Sequence, residues 1–156
     1  MHVAVVGPGD GATAAELDAA EELGRLLADA GAVVVCGGLG GVMEAASRGA
    51  RAAGGLTLGI LPGPDRRDAN RYVEVAVPTG LGEARNALVV RSADVVVAVG
   101  GAYGTLSEIA LALKTGKPVV GLHTWELARG GEPDTGVIAS DSPSHAARTA
   151  LDLARK

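Results

Sequence analysis

Nine consecutive residues, Gly100-Gly101-Ala102-Tyr103-Gly104-Thr105-Leu106-Ser107-Glu108, combine backbone-exposing small positions with a hydroxyl and an acid. Glycines let a chain turn sharply with its N–H groups free, and the positive end of a following helix adds to their pull on a phosphate or similar anion. Gly100, Gly101, Tyr103, Gly104 and Thr105 are therefore candidate anion-binding residues. Glu108 lies about 200° around a helix from Leu106, at roughly 100° per residue. That takes it off the apolar stripe of Leu106, Ile109, Ala110 and Leu113 and leaves it free to face a ligand.

Two further glycine turns share this character. Gly7-Pro8-Gly9-Asp10-Gly11-Ala12 adds Gly7 and Gly9, and Gly37-Gly38-Leu39-Gly40-Gly41 adds Gly37, Gly38 and Gly40. The first matches G-x-G-x-x-A, a permissive dinucleotide fingerprint, but Pro8 and the missing acid at the end of the second strand make it a poor NAD signal and a reasonable anion turn. Thr79 and Arg85 complete the set, the guanidinium being able to pair with a phosphate through two parallel hydrogen bonds.

Glu108 and Arg85 admit two readings. Beneath a glycosidic bond, the carboxylate can steady an oxocarbenium-like transition state or activate water, and the pair is then catalytic. Otherwise Glu108 is an acid favourable to its helix dipole and Arg85 a surface cation. Asp10 and Glu83 read as helix-start acids, and His123 as a structural residue at the crevice edge. With no metal-ligand spacing, no G-x-S-x-G and no Walker A sequence, no metal site, esterase or P-loop ATPase is expected.

These loops need strands and helices to aim them. Apolar, β-branched runs predict strands over residues 3–6, 32–36, 56–61, 72–77, 93–99 and 117–122, with 137–138 as a short last strand. Helical spacing predicts helices after 11, over 42–53, over 83–91 and after 105, and Ser142 followed by Pro143 predicts a last helix start. Residues 123–134 read as loop, with Gly130-Gly131 as breakers, and residues 65–71 as a charged exposed loop or single turn.

The alternation predicts an α/β fold: a three-layer, Rossmann-like, doubly wound parallel sheet of six or seven strands with helices on both faces. A strand order of 3-2-1-4-5-6 would set the first and fourth strands side by side. Ligands in such sheets bind beyond the carboxyl ends of the strands, where all three glycine loops, Thr79 and Arg85 would converge on one crevice.

The 156 residues suit one domain, 1–156. Hydrophobic residues reach 47% with only 2% aromatics and no Phe, so the core is aliphatic, as parallel sheets require. A net charge of -4 argues against a nucleic-acid partner. Cys36 stands alone and reads as a core residue. No apolar run approaches the length of a membrane span, so a cytoplasmic protein without a membrane partner is expected.

Residues 100–108 resemble the P-G-G-x-G-T-x-x-E motif of the LOG family, phosphoribohydrolases that release cytokinin bases from riboside monophosphates. Residues 37–43 resemble the same family's turn after the second strand, and the likeness spans residues 3–122. The short chain and residues 79–86 are more similar to the superfamily branch that contains molybdenum cofactor carrier proteins. The resemblance implies that Arg85 and Glu108 match the catalytic arginine and glutamate, while Asn86 stands where the hydrolases carry Lys. It further implies a phosphorylated, nucleotide-type ligand, with molybdenum cofactor as a carried molecule and no cofactor required. The alternative is hydrolysis of a nucleoside 5'-monophosphate to free base and ribose 5-phosphate. Lysine decarboxylase, an older label for such proteins, has no support in these residues. A homodimer or dimer of dimers is implied, with Leu88 and Val89 protected by the partner.

Overall fold

The computed structural model describes residues 1–155. The chain opens with β1 (His2–Val6), α1 (Ala14–Asp29), β2 (Val33–Cys36) and α2 (Val42–Ala52). Next come β3 (Thr57–Leu61), a 3-10 turn at Arg66–Asp68 and β4 (Val75–Pro78). A second 3-10 turn, Gly82–Arg85, runs into α3 (Asn86–Arg91), followed by β5 (Val95–Val99), α4 (Tyr103–Lys114) and β6 (Val119–Leu122). The short strands β7 (Leu127–Arg129) and β8 (Glu132–Asp134) pair only with each other, and β9 (Val137–Ser140) and α5 (Pro143–Ala154) close the chain.

Seven strands form one parallel sheet in the order β4-β3-β2-β1-β5-β6-β9. Alternate residues of β5 point to opposite layers. Val95, Val97 and Val99 pack with α1, α2 and α5, and Val96 and Ala98 with α3 and α4. The result is the three-layer α/β architecture predicted from the sequence.

Strand order differs from expectation. The neighbour of β1 is β5, with Val3 opposite Val95, and β4 stands at the sheet edge beside β3. The cause lies in the connections: residues 62–74, whose one helical piece is a three-residue 3-10 turn, link β3 to β4, whereas α3 crosses back to the other side of β1. The topological switch point therefore falls between β1 and β5.

α1 and α2 approach at backbone distance. A methyl group at Gly24 would lie 2.0 Å from the Ala46 carbonyl oxygen, and one at Gly49 would lie 1.9 Å from that of Glu21. Since α2 carries the second glycine loop at its start, this contact also fixes the loop's height above the sheet.

Three other expectations change. Residues 123–134 hold the β7–β8 hairpin, because Gly130 and Gly131 adopt φ of 59° and 88°, the pair of positive values that a tight hairpin turn requires. Asp10 does not start α1. Thr13 does, accepting from the Glu16 N–H while the Glu16 carboxylate accepts from the Thr13 N–H. Val89 is fully buried in the chain's own core, so of the pair expected at an interface only Leu88 is exposed. Ser142 caps α5 as predicted, accepting from the His145 N–H at 3.3 Å. No helix among the described residues is long and apolar enough to cross a membrane.

Candidate functional site

The loops after β1, β2 and β5 leave the same edge of the sheet and are stitched together there. The Val42 N–H donates to the Pro8 carbonyl at 3.0 Å. A methyl group at Gly41 would lie 2.1 Å from the Gly9 carbonyl oxygen, and one at Gly7 would lie 2.5 Å from that of Val99. Only glycine permits these approaches. Between the loops sits a cleft of about 330 Å³.

Gly7, Gly9 and Gly37 line the cleft on one side, and Arg85, Gly104, Thr105 and Glu108 on the other. The remaining candidates are near it but outside it. Gly38, at φ 79°, turns the chain against Leu61, and Gly40 lies in open space near Glu44. Thr79 pins its own loop, its hydroxyl donating to the Leu61 carbonyl at 2.6 Å and accepting from the Leu81 N–H. Gly100 packs on the Glu16 carboxylate and Gly101 beneath the Trp125 indole. Tyr103 is 82% exposed at the rim, its ring 5.7 Å from that of Trp125. Asp10, Met43 and Asn86 also line the cleft and were not singled out as ligand contacts. The signal for Asp10 and Asn86 was adjacency, to Gly9 and to Arg85.

All five helices begin at this edge of the sheet; α3 continues the Gly82–Arg85 turn, and the other four are finished differently. α1 is closed by the Thr13–Glu16 box and α5 by Ser142. α2 starts from Gly41 and α4 from Ala102, neither of which has a side-chain oxygen to offer the first turn. Apart from the Val42 N–H, which the Pro8 carbonyl holds, their leading N–H groups carry the positive end of the helix dipole without a side-chain cap. Thr105 Oγ1 and Arg85 Nε are likewise buried without a hydrogen-bond partner.

Arg85 and Glu108 are 8% and 7% exposed. One terminal nitrogen of Arg85 donates to the Gly37 carbonyl at 3.2 Å and the other to the Asn86 side-chain oxygen. Asn86 in turn donates to Ser107 Oγ at 3.3 Å, which donates to the Gly104 carbonyl at 2.7 Å. The guanidinium is thereby tied to the first turn of α4. Burial pushes the Glu108 carboxyl up to about 7, with the positive field of Arg85 partly opposing the rise. Contrary to the predicted stripe, Glu108 shares the buried face of α4 with Thr105, Ile109 and Ala112, while Ala110 is exposed. The inner face of α4 overhangs both core and cleft, so burial and access to a ligand coincide.

A profile of the SLOG cluster4 family matches residues 1–147. The chain belongs to the SLOG cluster4 family. Among solved structures, this SLOG cluster4 chain is similar to the molybdenum cofactor binding protein of Rippkaea orientalis, with 42% identity, coverage of 97% and 96% of the two chains and a TM-score of 0.90. It is also similar to the molybdenum cofactor carrier protein of Chlamydomonas reinhardtii, with 35% identity, coverage of 99% and 98% and a TM-score of 0.84. An uncharacterized protein of Archaeoglobus fulgidus is 44% identical over 123 residues, 78% of this chain and 80% of that one. The likeness to the single-stranded DNA-binding DNA processing protein A of Helicobacter pylori, at 23% identity, 97% and 80% coverage and a TM-score of 0.71, extends to the fold alone.

Proposed function

We propose that this SLOG cluster4 protein is a cytoplasmic carrier that binds a phosphorylated, nucleotide-type ligand in the cleft, molybdenum cofactor foremost. The observation that carries the reading is that the two uncapped helices, α2 and α4, open onto one cleft containing buried Arg85. A phosphate group there meets leading N–H groups, a guanidinium and the unpaired Thr105 hydroxyl, and a cleft walled by glycines admits it close to the backbone. Gly7, Gly9, Gly37, Gly104 and Thr105 would touch the ligand. Gly38, Gly40, Gly100, Gly101 and Thr79 would hold the loops, with Tyr103 reaching in from the rim. The named activities of the Rippkaea and Chlamydomonas proteins support the same ligand.

Thermal melting tests this. At a hundredfold excess over Kd, a ligand that binds only the native state adds about 2.7 kcal/mol, which raises Tm by about 5–10 °C in a chain of this size. Molybdopterin or AMP should do so; no shift with either sinks the carrier reading.

Glu108 favours a second reading. A buried carboxyl with a pKa of about 7 beside a guanidinium suits a group that accepts a proton from an attacking water near neutrality. In that case the protein cleaves the N-glycosidic bond of a nucleoside 5'-monophosphate. Incubation with AMP and other monophosphates should then yield free base and ribose 5-phosphate, and Glu108→Gln should abolish it. Absence of product with all of them leaves the carrier.

Leu81, Leu88 and Tyr103 are 54%, 38% and 82% exposed on the α3–α4 side of the cleft. We infer that this side is covered in a homodimer, or a dimer of dimers, and that Leu88→Asp reduces the mass measured by light scattering.

A further inference from the structure

A second cavity, of about 630 Å³, lies beyond the ends of β6 and β9 under the β7–β8 hairpin. The chain leaves β6 through His123, at φ 52° the one non-glycine residue with positive φ among the described residues. That left-handed conformation is disfavoured for a side chain with a Cβ and persists where the surroundings enforce it. It delivers Thr124 and Trp125 to the cavity wall. The Thr124 methyl packs on Gly121, where an added Cβ would lie 2.7 Å from it, and its hydroxyl is buried without a partner. The Trp125 N–H is engaged by the Ala102 carbonyl at 3.2 Å, so the indole presents only its ring to a ligand.

The rest of the lining differs in kind from that of the first cleft. Pro133 and Val137 are apolar, and Asp134 and Glu126 supply carboxylates. Asp134 is held in place, accepting from the Gly136 N–H at 2.8 Å, while its other oxygen has only a 3.5 Å contact with the exposed Arg129. No lysine or arginine lines the cavity. An anion is therefore disfavoured, whereas a flat ring carrying adjacent N–H donors can stack on the indole and donate to the carboxylate.

We propose that this cavity is a second ligand site, for a planar heteroaromatic ring with adjacent N–H and amino donors, of the guanine type, stacked on Trp125 and read by Asp134. The site needs no phosphate and stands independently of the cleft. Trp125 is the protein's single tryptophan, so its emission reports on the site directly.

Titration of the full chain with guanosine, which has no phosphate, should quench Trp125 emission saturably. Adenosine lacks the adjacent donors and should bind about tenfold more weakly or less tightly still. Asp134→Asn should weaken guanosine about tenfold. Ala139→Leu, which fills the cavity from an exposed position on β9, should remove the quenching while the melting curve shows the fold intact. Arg85→Ala should leave guanosine binding unchanged and impair only the effect of inorganic phosphate on Tm. The proposal is overturned by absence of saturable quenching, by equal affinity for adenosine and guanosine, by indifference to both cavity variants, or by loss of guanosine binding in Arg85→Ala. Failure of inorganic phosphate to raise Tm would count against the cleft reading alone.

Discussion

α1 and α5 begin with their own caps, Thr13 and Ser142, whereas α2 and α4 begin with Gly41 and Ala102 and no cap. All four starts lie at the same edge of one sheet, so the difference is not one of exposure or strand direction. In the capped pair a side-chain oxygen accepts from a first-turn N–H, that of Glu16 in α1 and that of His145 in α5. In the uncapped pair no side chain accepts from the first turn, the Val42 N–H alone being held by the Pro8 carbonyl, and an unpaired Thr105 hydroxyl and Arg85 Nε lie beside them. In the proposed carrier reading this local incompleteness is where the ligand would sit: what the sequence omits at α2 and α4 is what a phosphate would supply.

The largest test of this contrast asks whether Gly41 is irreplaceable or merely uncapped. At φ 64° and ψ -132°, with an added Cβ only 2.1 Å from the Gly9 carbonyl oxygen, Gly41→Ala combines strain with a backbone clash. A loss of about 4 kcal/mol follows, or about 8–16 °C in Tm. The loss of the Thr13 cap should cost only about 1 kcal/mol. If Gly41→Ala proves as mild as Thr13→Ala, the loops are not stitched as described.

Next comes the acid that the uncapped side buries. The ordinary value for Glu108 is 4.5 and its value in the fold is about 7, so across that window the folded chain holds a proton that the unfolded chain has released. Stability therefore falls as pH rises from 4.5 to 7 and levels off above. At pH 8.5 the buried carboxylate costs about 3 kcal/mol, which Glu108→Gln removes. The variant should melt about 6–12 °C above the parent at pH 8.5 and match it near pH 4. A constant difference across the range would mean that Glu108 keeps its ordinary value. An anion bound in the cleft should favour the protonated form, so phosphate affinity should fall as pH rises through 7.

How much of this was legible in the sequence depends on the distance over which each feature is decided. β5 was readable because a strand buried on both faces must be continuously apolar, and Val95 to Val99 are. Ser142 with Pro143 was readable because a cap is a local bargain between neighbours. The β1–β5 pairing was not, since nothing in either strand says which partner the crossover will choose. Glu108 was placed off the buried stripe because periodicity locates a face relative to other apolar residues, and here the face looks at core and cleft at once. Gly130-Gly131 was read as breakers because the same φ values that end a helix also close a hairpin. Of the thirteen site candidates, those in the cleft and those behind it differ only in what the neighbouring loops press against them, as Gly37 under Arg85 and Gly101 under Trp125 show.

Arg85 separates binding from folding on the uncapped side. Arg85→Ala removes charge-assisted hydrogen bonds to an anion, about 2 kcal/mol or roughly 30-fold in Kd. It also removes the field that holds Glu108 down, so the Glu108 value should climb and the fall in stability, which still begins near 4.5, should continue to higher pH before it levels off. Calorimetry with AMP and a pH series of melts measure the two effects. Weakened binding with an unmoved pH profile would mean that Arg85 acts on the ligand but not on Glu108.

The smallest effect is the most direct on the contrast itself. Ala102 already has the extended backbone of a capping residue, φ -117° and ψ 174°, and lacks only the oxygen. Ala102→Ser should therefore close α4 as Thr13 closes α1, adding about 0.5–1 kcal/mol and about 1–4 °C in Tm. The same hydroxyl would occupy the N–H groups that a phosphate needs, so affinity for AMP should drop severalfold while the free protein becomes more stable. Thr13→Ala should do the reverse only in part, lowering Tm and leaving AMP binding alone, because α1 offers nothing to the cleft. Opposite signs for stability and binding in Ala102→Ser, and independence of the two in Thr13→Ala, would establish that the missing cap is functional. A stabilised Ala102→Ser that binds AMP as well as the parent would show that the ligand is held by the glycine loops and Arg85, and not by α4.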